Sequence, residues 1–358
     1  MAIIRAALVD DADDDLKIAG RLLRTGIQCD PIRPPDEENS FEQLINQLRA
    51  GNYDIVLLDY RLDDEVPRGY RGGTVAARLK EFHPDMPVVL LTTEEKLEAS
   101  VRHNPRVAAL FDHLVLKEDL AHADTRKRRA AEMHDLVASY QILKEEEAQP
   151  NDDLYDIVSR LARATEDDRF APSVRNRAAR TPELANWFLQ EFLAYPGSVL
   201  PISDVAARLG IAQTAAEGDA VRSWLAPASY AGVFATIRER WWRGRLDLRL
   251  IGKRSDLRDK PATARAAFIS KAIGVRIPPA RCAWCGGEYV ERACAICKEA
   301  VDASHFLVGN IDDRPGWAEP ARVCFRCIAQ GDAEDVRFIT GAEQIAHKLR
   351  TGELKRPA

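Results

Sequence analysis

The sequence predicts an α/β protein in which a doubly wound parallel sheet is followed by a mainly helical region and a small cysteine-rich module. Apolar runs alternate with amphipathic helical patterns at the start of the chain, helical apolar spacing dominates the middle, and three Cys-x-x-Cys pairs lie near the end. With 358 residues the chain is long enough for two or three domains. The expected segments are the sheet domain 1–120, a connecting helix 121–150, a helical domain 151–275 and the cysteine module 276–358.

The composition is that of a soluble globular protein, with 46% hydrophobic and 30% charged residues. No run approaches the ~18 apolar residues of a membrane span, and the first residues do not form a signal peptide. We therefore expect a cytoplasmic protein without a membrane partner. The formal charge is −8 over residues 1–120 and +3 over the rest, which argues against a nucleic-acid footprint along the whole chain.

The first 120 residues carry the strand and helix pattern of a doubly wound sheet. Apolar runs typical of buried parallel strands occur at Ile3–Val9, Gly26–Ile32, Ile55–Leu58, Val88–Leu91 and Leu110–Leu116. Amphipathic helical spacing occurs at Leu16–Leu23, Phe41–Leu48 and Val75–Phe82. Ligands of such a sheet bind beyond the carboxyl ends of its strands.

Polar residues stand where these strands end. Asp10 and Asp11 follow the first strand, Asp59 the third, Thr92 the fourth and Lys117 the fifth. Crowded carboxylates repel one another and favour a hard cation such as Mg²⁺. A lysine beside them balances charge and can hold a phosphoryl oxygen, and a carboxylate can itself accept a phosphoryl group as nucleophile.

These residues occur in four short motifs, which are Leu8-Val-Asp-Asp11, Leu57-Leu-Asp59, Pro87-Val-Val-Leu-Leu-Thr92 and Val115-Leu-Lys117. In order and spacing they resemble the receiver domain of two-component response regulators. The resemblance covers about the first 120 residues and implies a flavodoxin-like, five-stranded fold.

The resemblance also implies a role for each site residue. Asp59 would accept a phosphoryl group from a histidine kinase, and Asp10, Asp11, Asp59 and the backbone carbonyl of Arg61 would hold Mg²⁺. Thr92 and Lys117 would bind the phosphoryl group. A receiver of this kind catalyses its own phosphorylation and dephosphorylation and is otherwise not an enzyme.

The spacing of apolar residues predicts helices in the middle of the chain. The connecting helix could join two copies of the chain, so the formation of a homodimer stays open. Beyond this helix, helical spacing of apolar residues occurs at Leu154–Leu161, Leu184–Tyr195, Ile202–Leu209 and Tyr230–Trp242. Residues 202–211 look like the first helix and turn of a helix-turn-helix, but the acidic residues that follow favour a plain helix–turn over DNA reading. Trp241-Trp242 lies among arginines, a pattern that is compatible with stacking on the bases of a single-stranded nucleic acid. Burial of both indoles in a core is the favoured interpretation.

The C-terminal module contains six of the seven cysteines, as Cys282-x-x-Cys285, Cys294-x-x-Cys297 and Cys324-x-x-Cys327, together with His305. Without an export signal, this pattern indicates zinc rather than disulfides. The last four cysteines look like a treble-clef site. Cys282 and Cys285 would then need His305 and one more ligand, or a neighbouring turn. The number of zinc ions in the module, one or two, therefore stays open.

Taken together, these features predict a response regulator that relays or absorbs a phosphoryl signal through a zinc-containing, protein-interacting output. One alternative is a phosphorylation-controlled transcription regulator that binds DNA through residues 202–225 and the zinc module. A weaker alternative is an antiphage-type signalling protein whose zinc module resembles a nuclease around His305. Binding of nucleic acid is thus left open but not favoured.

Overall fold

The structure is a computed structural model. It describes residues 3–11, 15–35, 40–62, 69–94, 109–146, 154–165, 180–251, 256–309, 318–331, 339 and 341–354.

A five-stranded parallel sheet forms the first part of the chain. Its strands are β1 (Ile4–Val9), β2 (Ile27–Ile32), β3 (Ile55–Asp59), β4 (Val88–Thr92) and β5 (His113–Leu116). Their order across the sheet is β2-β1-β3-β4-β5, and every neighbouring pair is parallel. This is the flavodoxin-like order of a doubly wound sheet, so the predicted fold of this part is confirmed. The central strands β3 and β4 are buried along their whole length, which explains their uninterrupted apolar sequence.

Three helices connect the strands at the positions that the sequence predicts, and a fourth follows β5. They are α1 (Asp15–Leu23), α2 (Ser40–Ala50), α3 (Gly72–Phe82) and α4 (Ala123–Glu145). Apolar residues of the strands and helices form one core on this part of the chain, including Val9, Leu48, Leu58, Val75 and Leu90.

The remaining helices are short. They are α5 (Leu154–Leu161), α6 (Thr181–Asn186) with a π-helical turn (Trp187–Phe192), α7 (Ile202–Leu209), α8 (Gln213–Ala216), α9 (Asp219–Leu225), α10 (Arg243–Leu250), α11 (Ala262–Ile273), α12 (Phe325–Gln330) and α13 (Ala342–Arg350). Helix α7 ends at Gly210, whose φ of +66° is the left-handed conformation that favours glycine.

Three two-stranded sheets complete the described structure. Antiparallel pairs join β6 (Val199–Leu200) to β7 (Trp241–Trp242), β8 (Arg292–Ala293) to β9 (Ala300–Val301), and β10 (Phe306–Gly309) to β11 (Ala321–Cys324). Helix α12 follows β11 directly, so the β10–β11 hairpin and then a helix come after the Cys294–Cys297 turn.

The chain folds into two compact units. The first comprises Met1–Leu161, Asn176–Gln190 and Val233–Arg238, and the second comprises Ala162–Arg175, Glu191–Gly232 and Glu239–Ala358. The predicted segment boundaries near residues 120, 150 and 275 stay predictions. Within the described residues, each helix is too short or too polar to cross a membrane.

The structure corrects one predicted helix and shortens two elements. Residues 230–240 are not helical, because Phe234 adopts a φ of +61° and Trp241–Trp242 pair with a strand instead. The helix predicted at Leu184–Tyr195 ends at Asn186 and continues as the π-helical turn. The strand predicted to begin at Leu110 begins at His113. In each case side-chain packing, which sequence periodicity does not contain, decides the local backbone.

Candidate functional site

Three carboxylates meet at the carboxyl edge of the parallel sheet. Asp10 and Asp11 directly follow β1, and Asp59 is the last residue of β3, its neighbour in the sheet. Their side chains are 0–1% exposed, and one oxygen of each lies within 4.8 Å of one oxygen of the other two. Buried like charges at this distance repel strongly. The arrangement therefore requires nearby positive charge.

Lys117 supplies part of that charge from the end of β5. Its ammonium Nζ lies 2.5 Å from Oδ2 of Asp10 and 2.9 Å from Oδ1 of Asp59. Burial opposes the charged form of Lys117, but the negative charges of Asp59 and Asp10 outweigh it and raise the pKa of the ammonium. One lysine against three carboxylates leaves a net charge of about −2, which a divalent cation balances. The residues present therefore fit Mg²⁺.

Thr92, at the end of β4, brings a hydroxyl to the same edge. The side chain is completely buried, and among the described residues its Oγ1 has no hydrogen-bond partner. The backbone carbonyl of Thr92 accepts the Lys117 N–H at 2.8 Å, so the ends of β4 and β5 are held together. An unsatisfied buried hydroxyl is costly. The Thr92 hydroxyl is therefore suited to donate a hydrogen bond to an oxygen atom of a ligand that binds at this edge.

Backbone packing fixes the position of the Asp59 carboxylate. The Arg61 N–H donates to Oδ2 of Asp59 at 2.8 Å. Gly72, the first residue of α3, lies so close that a Cβ atom there would stand 2.1 Å from the backbone oxygen of Asp59. Only glycine allows this approach. The helix predicted from the sequence begins only at Val75, so sequence reasoning left Gly72 in the preceding loop and did not identify this contact.

Arg33 was also missed from sequence. It directly follows β2, and its Nη2 donates to the backbone carbonyl of Asp11 at 3.0 Å. Arg33 therefore places a second cation beside the acidic pair. Its position one residue beyond Ile32 could have identified it, because β2 ends at the same edge of the sheet as β1.

The second unit gathers four cysteines into one cluster. Cys294 and Cys297 come from the turn between β8 and β9, Cys324 is the last residue of β11, and Cys327 lies in the first turn of α12. The Sγ atoms of Cys294 and Cys327 are 3.9 Å apart, and those of Cys297 and Cys324 are 3.7 Å apart. Tetrahedral Zn²⁺ with Zn–S bonds of about 2.3 Å holds sulfurs about 3.8 Å apart, whereas a disulfide bond is about 2 Å long. The four thiols therefore fit one zinc ion.

His305 does not join this cluster. With Cys282 and Cys285 it forms a second, separate group whose ligand atoms lie within 4.8 Å of one another. The structure thus groups the seven predicted metal ligands as four and three. The alternative in which Cys282 and Cys285 pair with the thiols of a neighbouring turn is not the arrangement observed.

Two nucleic-acid hypotheses concern the second unit. Trp241 and Trp242 are 2% and 1% exposed, so their indoles belong to the core and are not available for stacking on bases. After α7, the exposed residues include Glu217 and Asp219, which repel a phosphate backbone. Binding of DNA by residues 202–225 stays a prediction. The acidic side chains at this position do not favour it.

Comparisons with known proteins concern the first part of the chain. No protein-family model matches the chain, and no curated protein matches it. The structural neighbours over roughly the N-terminal 35% are receiver domains of response regulators.

The response regulator protein TrrA from Thermotoga maritima, crystallised in complex with Mg²⁺-BeF, is 25% identical over 32% of this chain and 87% of its own, with a TM-score of 0.25. The receiver domain of a two-component response regulator from Bacteroides fragilis is 23% identical over 33% and 86%, with a TM-score of 0.26. The NtrX receiver domain from Brucella abortus is 23% identical over 36% and 95%, with a TM-score of 0.27. Because these TM-scores are low, the function proposed below rests on the geometry of the site.

Proposed function

We propose that this protein is a response regulator in which Asp59 accepts a phosphoryl group from the phosphohistidine of a histidine kinase. The observation that carries the proposal is the buried group formed by three carboxylates, Lys117 and the unsatisfied hydroxyl of Thr92 at one edge of a flavodoxin-like sheet. This edge is where ligands of such sheets bind.

The reaction follows from the positions of these groups. A carboxylate oxygen of Asp59 attacks phosphorus, the P–O bond forms as the P–N bond of phosphohistidine breaks, and the leaving imidazole takes up a proton. Lys117, already held against Asp59, binds a phosphoryl oxygen through its ammonium group. Thr92 donates its free hydroxyl hydrogen to another phosphoryl oxygen.

Magnesium would complete this site. Asp10, Asp11, Asp59 and the Arg61 carbonyl are the groups that would hold Mg²⁺, which would neutralise charge on the phosphoryl oxygens and the carboxylates. The same residues support hydrolysis of the aspartyl phosphate by water. We infer no other enzymatic activity for this unit.

The output is proposed to act through the second unit. Cys294, Cys297, Cys324 and Cys327 would hold a structural Zn²⁺ in a treble-clef arrangement, because all four positions of the tetrahedron are filled by protein thiolates. A closed site of this kind stabilises a small domain rather than performing chemistry. Its surface would bind a protein partner, through which the phosphoryl signal is relayed or absorbed.

Intact-mass measurement tests the phosphoryl proposal. The full-length protein is incubated with acetyl phosphate and Mg²⁺, and a single phosphoryl adduct is expected for the wild-type chain. The adduct should be absent for Asp59→Asn, which is nearly isosteric and removes the nucleophilic carboxylate. Omission of Mg²⁺ should also prevent it.

Glu81→Gln is the matched control, because Glu81 is an exposed carboxylate on α3 outside the site. This variant should be labelled as the wild-type protein is. Full labelling of Asp59→Asn would refute the assignment of Asp59.

A further inference from the structure

The group Cys282, Cys285 and His305 has the geometry of a metal centre in its own right. Sγ of Cys282 lies 3.6 Å from Nδ1 of His305. A tetrahedral Zn²⁺ with a Zn–S bond of about 2.3 Å and a Zn–N bond of about 2.0 Å places sulfur and nitrogen about 3.5 Å apart, close to the observed distance. The third ligand atom lies within 4.8 Å of both. The three side chains are thus spaced for one ion.

Surrounding groups hold these three ligands in place before a metal arrives. The Asp302 N–H donates to Sγ of Cys282 at 3.4 Å, and the Gly287 N–H donates to Sγ of Cys285 at 3.3 Å. The His305 ring packs edge-on against Phe325, with 6.0 Å between ring centroids. Such outer contacts orient metal ligands and stabilise thiolates.

This centre differs from the four-cysteine cluster in its number of protein ligands. Among the described residues, no fourth cysteine, histidine or carboxylate atom lies within 4.8 Å of all three. The neighbouring acid, Asp302, turns its Oδ1 towards Ser304, whose N–H and hydroxyl both donate to it, at 2.8 and 2.6 Å. Oδ1 of Asp302 is therefore engaged within its own turn.

The three-ligand group is also less buried than the four-cysteine cluster. Three of the four thiols in the four-cysteine cluster are buried, namely Cys294, Cys324 and Cys327. In the three-ligand group, Cys282 is buried, while Cys285 and His305 are partly exposed. Solvent can therefore approach the three-ligand group on the side of these two residues. Closed four-ligand zinc sites are structural, whereas three protein ligands with one open position are typical of centres that bind an exchangeable ligand.

We propose that Cys282, Cys285 and Nδ1 of His305 bind a second zinc ion whose fourth position takes an exchangeable small ligand. Two thiolates and a neutral imidazole leave the Zn²⁺ centre formally neutral. Water occupies the fourth position in the resting protein and leaves when a small soft anion, such as cyanide, binds in its place. This proposal does not depend on phosphoryl transfer at Asp59.

Cobalt substitution of the full-length protein tests the proposal, because Co²⁺ replaces Zn²⁺ and its visible absorption reports the ligands. Two Co²⁺ ions per chain are expected. Addition of cyanide should change the absorption of one of them and leave the other unchanged. His305→Ala and, as a second variant, Cys285→Ser should each bind one ion fewer and lose the cyanide response.

His347→Ala is the matched control, since His347 lies on α13 outside both clusters, and it should keep two ions and the full response. A wild-type chain that binds one Co²⁺, or two whose spectra ignore cyanide, overturns the proposal. A cyanide response that appears only in Asp302→Asn also overturns it, because it would identify the Asp302 carboxylate as the fourth ligand.

Discussion

At the scale of single residues, the acidic edge of the sheet combines function with an energetic cost. Asp10, Asp11 and Asp59 are buried within a few ångströms of one another, and Lys117 offsets only one of their charges. In the unfolded chain the carboxylates would be hydrated, and Asp59 would be far from Asp10 and Asp11. Folding therefore stores repulsion at this site, which a bound cation relieves.

Asp11→Asn should remove part of this repulsion. In the presence of chelator, the variant is expected to be more stable than the wild-type protein by about 1 kcal/mol or more, or roughly 2–4 °C in Tm. Added Mg²⁺ should stabilise the wild-type protein by about 3 kcal/mol at 100 times its Kd, and the variant much less. Thermal unfolding with and without Mg²⁺ measures both effects.

Glu42→Gln is the control for Asp11→Asn, because Glu42 is an exposed carboxylate on α2. Its Mg²⁺-dependent stabilisation should equal that of the wild-type protein. If Asp11→Asn is stabilised by Mg²⁺ to the same extent as the wild-type protein, Asp11 is not part of the cation site.

At the scale of elements, helix α3 begins directly beside the phosphoacceptor strand. A Cβ at Gly72 would meet the backbone oxygen of Asp59 at 2.1 Å, and the Gly72 N–H donates to the Tyr60 carbonyl at 2.8 Å. The helix is thus anchored at the residues that carry the site. A substitution that enlarges Gly72 would therefore press on the backbone of Asp59.

Gly72→Ala should therefore lower stability by about 1–3 kcal/mol and reduce phosphoryl uptake at Asp59, because the backbone must shift to admit the methyl group. Gly20→Ala is the comparison. Gly20 lies within α1 with no atom within 4 Å of the added Cβ, so the substitution should be neutral or stabilise by up to about 1 kcal/mol. Urea unfolding and intact-mass labelling measure both properties. Normal labelling of a fully stable Gly72→Ala would contradict the tight approach.

Strand β5 and helix α4 are joined by a buried polar network. Oε2 of Glu132, on α4, lies 2.9 Å from Nε2 of His113, the first residue of β5, and Arg129 donates to both Glu132 oxygens. Burial opposes ionisation of Glu132, but hydrogen bonds from His113 and Arg129 outweigh it and lower the pKa of Glu132. The network connects α4 to the strand that ends next to Lys117.

Glu132→Gln should lower the free energy of unfolding by about 1–3 kcal/mol at pH 7. The folded-state pKa lies below the ordinary value of 4.5, so the ionised group contributes stability above that pH. This contribution is lost as the pH falls through the lowered pKa, and the effect of the substitution should therefore be smaller at an acidic pH below 4.5 than at pH 7. Urea unfolding at the two pH values measures the difference.

Glu145→Gln provides the comparison for Glu132→Gln, since Glu145 is exposed on the same helix. It should change stability by less than about 0.5 kcal/mol at either pH. An effect of Glu132→Gln that is equally large at both pH values would mean that packing, and not the charge of Glu132, stabilises this contact.

At the scale of the whole molecule, the two kinds of metal chemistry lie in different compact units. The oxygen ligands suited to Mg²⁺ are in the first unit, and the sulfur and nitrogen ligands suited to Zn²⁺ are in the second. The buried cysteines are also part of the hydrophobic core of the second unit, together with Trp284, Val323 and Ile328. Metal loss should therefore affect the packing of that core.

A zinc-selective chelator, added with excess Mg²⁺, should change the near-ultraviolet circular dichroism of the protein, because Trp284 and Phe325 pack in that core. Phosphoryl uptake at Asp59 should be unchanged, since its ligands are oxygen atoms of the first unit. Intact-mass labelling before and after chelation measures uptake, and readdition of Zn²⁺ should restore the dichroism. Uptake that falls in proportion to zinc loss would contradict this division.

The sequence by itself determined the chemistry at the strand ends. The carboxyl ends of parallel strands lie at one edge of a sheet, so Asp10, Asp11, Asp59, Thr92 and Lys117 could be grouped once the strands were recognised. Local spacing likewise predicted three turns that each present two thiolates. These predictions could be made from the sequence because they depend on repeats of a few residues and on a general rule of strand geometry.

Only the tertiary structure decided the contacts that link distant parts of the chain. It grouped His305 with Cys282 and Cys285 and brought Gly72 against Asp59. It also replaced the helix predicted at Tyr230–Trp242 with a paired strand. Apolar residues at helical spacing are equally compatible with a buried turn and strand. The pairing of metal ligands depends on contacts between residues that are far apart in the sequence. The physical reason is that packing, which selects among locally equivalent conformations, is a property of the folded chain.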